Sequence, residues 1–167
     1  KAALWIDMGL GKTVSTLTAL SELKRDKQIG KTLIVAPLRV ATHTWPTEIA
    51  TWSHIDMGYT VLAGLTASKR LNALDDDTDL HIINRENIPW LVDQLGQSWP
   101  YDCVVIDESS SFKAHTSKRW KSMRKALGKV KRMTQLTGTP APNALLELWP
   151  QMYLLDKGER LENSRGK

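Results

Sequence analysis

Two short stretches hold the residue types that could do chemistry together. The first is Asp7-Met8-Gly9-Leu10-Gly11-Lys12-Thr13. Gly9 and Gly11 permit a tight backbone turn that brings N–H groups close to an anion. A helix starting near Lys12 would aim unsatisfied N–H groups and the positive end of its dipole at the same place. In that setting Gly9, Leu10, Gly11, Lys12 and Thr13 form a polyphosphate cradle. Lys12 would contact the β- and γ-phosphates, and the Thr13 hydroxyl would ligate Mg²⁺. The pattern is a variant, because Ile6 stands where G-x-x-x-x-G-K-[ST] has its first glycine. The second stretch is Asp107-Glu108, which follows the apolar run Cys103-Val104-Val105-Ile106. Asp107 could hold the same metal, and Glu108 could orient and polarise an attacking water. The plainer reading of each is a helix start and a solvated acidic turn. Their occurrence in one sheet favours the chemical reading.

The elements that must position these residues follow from the hydrophobic pattern. Ala2 to Ile6 reads as a short buried strand, and Val14 to Leu23 has helical spacing. Thr32–Ala36, Tyr59–Leu62, Leu80–Asn84, Cys103–Ile106 and Lys131–Leu136 read as further strands. Between them Trp45–Trp52, Ser68–Leu74, Ile88–Leu95 and Lys118–Leu127 read as helices, with Ala144–Leu155 as a last one. Thr44 is the expected N-cap of the second helix, Gly128 the stop of the fifth, and Pro150 a bend in the last. Strands alternating with helices predict an α/β fold: a mostly parallel sheet with helices on both faces. Ligands in such sheets bind at the carboxyl ends of the strands. The phosphate loop, Pro37, Asn84, Asp107 and Thr137 would all lie at that edge.

Size and composition set bounds. The 167 residues suit one domain with a real core. No apolar run approaches the roughly 20 residues of a membrane span. The lone Cys103 excludes a disulfide within the chain and fits a reducing compartment. His43, His54, His81 and His115 show no metal-ligand spacing. The net charge of +5 is unevenly placed. From Lys113 to Arg132 there are nine Lys or Arg and no Asp or Glu, leaving 14 basic and 18 acidic residues elsewhere. Such a stretch could neutralise nucleic-acid phosphates. It could equally be the polar face of an amphipathic helix over Trp120, Met123 and Leu127.

Four segments carry a family resemblance: DMGLGKT, LIVAPLRV, DESSSFK and LTGTPAPNALLELW, in that order. They resemble motifs I, Ia, II and III of superfamily 2 helicases, and most closely the SWI/SNF-type DNA translocases. Trp45, Glu48 and Trp52 match that branch's pattern after motif Ia. Lys113 matches the lysine after the Asp-Glu box, and Asn143, Glu147, Leu148 and Trp149 match the end of motif III. Ser109 and Ser110 depart from the Ala-His of the DEAH form and are similar to phage-encoded members.

The resemblance implies a RecA-like P-loop lobe that uses ATP and Mg²⁺ to drive movement on DNA, most often double-stranded. Lys12, Asp107 and Glu108 would be catalytic. Thr137, Gly138 and Thr139 would couple hydrolysis to movement. Pro37, Leu38, Arg39, Asn84 and Arg85 would lie by the nucleic-acid backbone. It further implies a second RecA-like lobe that supplies an arginine finger, and an adenine-reading segment upstream of motif I. Neither is found among these residues, so the expectation is one lobe of a larger engine, weakly active alone. Its location would be the cytoplasm of a bacterial or phage-infected cell, or a eukaryotic nucleus. The alternative is a non-catalytic binding module that uses the 113–132 stretch. A GTPase would want an Asn-Lys-x-Asp guanine reader, which the chain lacks.

Overall fold

The structure, a computed structural model, describes residues 1–7, 9–141 and 143–161. Met8 and Pro142, each inside one of the quoted motifs, lie outside the described residues. Six strands form one all-parallel sheet: β1 (Ala2–Trp5), β2 (Lys31–Ala36), β3 (Tyr59–Val61), β4 (Leu80–Asn84), β5 (Tyr101–Asp107) and β6 (Arg132–Thr137). Their spatial order is β1-β6-β5-β2-β4-β3. The helices are α1 (Lys12–Arg25), α2 (Trp45–Thr51), α3 (Ala67–Ala73), α4 (Ile88–Leu95), α5 (Lys118–Ala126) and α6 (Leu148–Asp156).

Alternation along the strands builds two cores. Leu33, Val35, Val104 and Ile106 face one side, where they meet Leu91 of α4, Trp120 and Met123 of α5, and Leu154 of α6. Ile34, Ala36, Ile82 and Val105 face the other, against Leu17 and Leu20 of α1 and Trp45 and Ile49 of α2. Both faces are therefore covered, as the pattern predicts. Among the described residues no helix is long and apolar enough to cross a membrane.

Several local expectations are corrected. The first strand is exposed at Ala2 and Ala3 and half-buried at Leu4 and Trp5, because among the described residues it lies at the sheet edge and pairs with β6 alone. Thr44 does not cap α2: its own backbone is helical and its side chain makes no capping bond. The helical path starts earlier, with the Ala41 N–H donating to the Pro37 carbonyl at 2.8 Å. It passes through a π-helical turn, Val40–Thr44, in which the Trp45 N–H reaches the Val40 carbonyl five residues back. Pro46 explains the wide turn, since it has no N–H to offer and its ring crowds the carbonyl four residues before it. Gly128 does not stop α5 in a left-handed turn. It lies inside a 3₁₀ turn, Leu127–Lys129, that runs on from the helix. Pro150 lies in the first turn of α6, where its missing N–H has no helical partner to lose, and a 3₁₀ turn, Leu145–Glu147, precedes it.

Candidate functional site

The parallel register sets the site. Trp5 is level with Thr137, and Asp107 with Leu136. The ends of β1, β6 and β5 thus stand side by side, carrying the glycine loop, the Thr-Gly-Thr turn and the two carboxylates.

In the loop, Gly9 (φ 77°) and Gly11 (φ 74°) are both left-handed. A side chain at either would be strained, which is why the turn takes glycine. α1 begins at Lys12, and Leu10 is exposed. The Lys12 ammonium donates to the carbonyls of Ile6 (2.8 Å) and Asp7 (2.7 Å). Thr13 is half-buried in the first turn of α1.

Asp107 is buried at the tip of β5. Its Oδ2 accepts the indole N–H of Trp45 at 2.9 Å, and its Oδ1 accepts the Glu108 N–H at 3.0 Å. Burial pushes this carboxyl above the usual carboxylate range. The Trp45 bond, the Glu108 N–H and the Lys12 charge pull it back, while the Glu108 charge raises it. Glu108 has φ 53° and ψ 55°, a left-handed conformation that costs a non-glycine residue about 1–2 kcal/mol. That backbone turns the chain out of the strand direction at Glu108. A half-buried hydroxyl at Thr13, a buried carboxylate and a glycine turn at a helix start are the donor set that Mg²⁺ and a polyphosphate require.

Thr137 is fully buried, Gly138 half-buried and Thr139 exposed. The Thr137 hydroxyl accepts the Thr139 N–H at 3.1 Å and so shapes its own turn. The link to the carboxylate loop runs elsewhere. Ser109 Oγ donates to Gln151 Oε1 at 2.9 Å, and Gln151 Nε2 donates to the carbonyls of Pro140 and Glu147 (3.0 Å for the latter). A second bridge lies outside it: Lys113 pairs with Glu147 at 3.0 Å, and Glu147 also accepts from the Asn143 side chain at 3.0 Å. These bonds hold the Glu147 carboxyl below its ordinary range. Gln151 and the Trp45–Asp107 bond are the parts that sequence reasoning missed. The resemblance implies core positions for Trp45, Trp52 and Trp149; Trp45 is fully buried, but Trp52 is exposed because it caps the C-terminal end of α2, and Gln151 gave no signal.

The expected nucleic-acid residues share this edge but differ in availability. Pro37 is half-buried, and Leu38 and Arg39 are exposed. Asn84 is buried and organises a turn, donating to Glu86 Oε2 at 3.0 Å and accepting from Asn87 at 2.6 Å. Arg85 pairs with Glu86 at 3.0 Å. On α5, Trp120 and Met123 are buried while Lys118, Lys121, Arg124 and Lys125 are exposed, so the helix is amphipathic with a basic outer face.

Known proteins share this sequence pattern and fold. Residues 3–162 match the SNF2-related domain. The chain is 40% identical to protein p41 of Acyrthosiphon pisum secondary endosymbiont phage 1, over 96% of this chain and 36% of that one. It is 30% identical to protein CHROMATIN REMODELING 19 of Arabidopsis thaliana, over 89% of this chain and 21% of that one. It therefore spans about a third or less of the length of these relatives. The solved Sulfolobus solfataricus SWI2/SNF2 ATPase core in complex with dsDNA superposes with a TM-score of 0.82 at 26% identity, over 98% of this chain and 32% of that one. On these matches the chain belongs to the SNF2-related family, and its six-stranded parallel sheet corresponds to the first RecA-like lobe.

Proposed function

We propose that this chain is the nucleotide-binding lobe of a DNA-dependent ATPase that couples Mg-ATP hydrolysis to movement along double-stranded DNA. The observation that carries the reading is the register placing the glycine loop, Thr137 and Asp107 at adjacent strand ends. The backbone N–H groups of the loop and Lys12 would bind the phosphates. Thr13 and Asp107 would hold Mg²⁺, which neutralises phosphate charge when bound. Glu108 would orient water and take its proton. Thr137 to Thr139 would pass the state of the site to the rest of the lobe. Leu38 and Arg39, exposed at the same edge, would lie by the DNA backbone. The family membership supports this chemistry.

A second lobe would complete the site with an arginine finger, typically worth ~10³–10⁵ in rate. This lobe alone should bind Mg-ATP weakly and turn it over very slowly. Calorimetric titration of Mg-ATP into the chain and into Lys12→Ala tests the reading. Binding that disappears in the variant supports it. Equal binding by both would sink it, because Lys12 would then not be at the phosphates.

A further inference from the structure

We propose that the Trp52 indole is the platform on which the adenine of a bound nucleotide stacks, with Glu48 as its positioning residue. The proposal rests on the reading of Gly9–Thr13 as the polyphosphate site. It would add a contact from this chain's own α2 region to the upstream adenine reader that the family resemblance implies.

A cavity of about 340 Å³ opens beside the glycine loop. One wall is Gly9, Gly11 and the first turn of α1; the other is Thr44, Glu48 and Trp52. A nucleotide whose phosphates sit at the α1 N-terminus must extend its ribose and base out of the loop, and Trp52 stands on the far wall. The indole is 41% exposed, whereas Trp45, Trp99 and Trp120 are all at or below 7%.

An exposed tryptophan on a surface is ordinary, but this one is held. Its N–H donates to Glu48 Oε2 at 2.7 Å, one helical turn earlier. Its ring meets His54 edge-on, with centroids 6.0 Å apart at 63°. His54 Nε2 in turn lies 2.8 Å from Thr18 Oγ1 on α1, the helix that begins in the loop. The ring is thus tethered relative to the phosphate cradle while it remains partly exposed. A rigid, partly exposed aromatic face is what a purine needs for stacking, and pre-fixing it removes the ordering cost on binding.

The test is calorimetric titration with two probes, Mg-ATP and Mg-tripolyphosphate, against the chain, Trp52→Ala, Trp52→Phe, Glu48→Ala and Lys12→Ala. Trp52→Ala should weaken Mg-ATP about tenfold and leave Mg-tripolyphosphate unchanged. Trp52→Phe should recover most of the loss, and Glu48→Ala should lie between. If Trp52→Ala binds Mg-ATP like the unsubstituted chain while Lys12→Ala loses both probes, the platform is overturned and the loop reading stands. A parallel loss of both probes in Trp52→Ala marks a structural role and also overturns the platform. If Lys12→Ala keeps both probes, or the unsubstituted chain binds neither at millimolar concentration, the loop reading fails and the platform with it.

Discussion

Trp45 and Asp107, 62 residues apart in sequence, share a buried hydrogen bond of 2.9 Å between an indole N–H and a carboxylate oxygen. The bond fixes one oxygen of the carboxylate expected to hold the metal, and it ties the helix after motif Ia to motif II. Trp45→Phe keeps an aromatic ring but removes the donor, leaving Asp107 Oδ2 short of a partner in a buried setting. The expected loss is about 2 kcal/mol of stability, read from urea unfolding midpoints. Mg-ATP binding should weaken in the same variant. An unchanged midpoint would show that the bond contributes nothing net.

Gln151 serves two loops with one side chain. Gln151→Leu has similar volume but strands the Ser109 hydroxyl and the Pro140 carbonyl. Unpartnered buried polar groups cost about 1–3 kcal/mol each, so a loss of at least about 2 kcal/mol is expected in chemical denaturation. Gln151→Glu can still accept from Ser109 but cannot donate to Pro140. It should lose a comparable amount at neutral pH and regain part of it once the carboxyl is protonated.

Glu108 holds a left-handed backbone conformation without being glycine. Glu108→Gly relieves that strain at the cost of some chain entropy, for a net gain of about 1 kcal/mol in unfolding free energy. The same variant removes the proposed water-orienting carboxylate and should show no hydrolysis. A variant that gains stability while losing turnover is the signature of strain kept for function. A fall in stability would show that the Glu108 side chain has a structural role.

His81 is fully buried on β4, with Nδ1 2.7 Å from the Tyr101 hydroxyl. Burial, helped by the nearby Lys31 charge, lowers its pKa from 6.5 to about 4. A base with a depressed folded pKa is neutral in the fold and takes up its proton more readily in the unfolded chain. Its contribution is therefore present above about pH 6.5 and is lost as pH falls toward 4. Between pH 7 and pH 5 the expected loss from this group is about 2 kcal/mol. Urea midpoints at the two pH values check it, and His81→Gln should flatten that part of the profile.

Much of the fold was legible because local signals agreed with the tertiary outcome. Leu80–Asn84 and Ile88–Leu95 have the bounds the pattern predicts, since both combine clear apolar runs with Asn or Pro punctuation. The misreadings arose where tertiary contacts overruled local rules. Thr44 has the chemistry of an N-cap, but the Pro37 carbonyl starts the helical path several residues earlier. β1 is apolar enough to read as buried, yet sheet order puts it at the edge among the described residues, and order is not encoded in the strand itself. At the site, motif residues were legible by type and spacing. The Trp45–Asp107 bond and the Ser109–Gln151–Pro140 bridge were not, because each joins segments 42 or more residues apart or turns on which polar atom meets which.

The Lys12 ammonium is already spoken for, shared between the carbonyls of Ile6 and Asp7. Any anion entering the loop must outbid two neutral acceptors for the same cation. The loop thereby acts as an intramolecular competitor that subtracts a roughly constant amount from every ligand's affinity. A ligand with one weakly charged group gains little over the carbonyls, whereas a polyphosphate with several charged oxygens gains much more. The loop would then discriminate by charge density before any part of the base is read, and spent ligand, with fewer phosphates, would face the returning carbonyls as a force for its release.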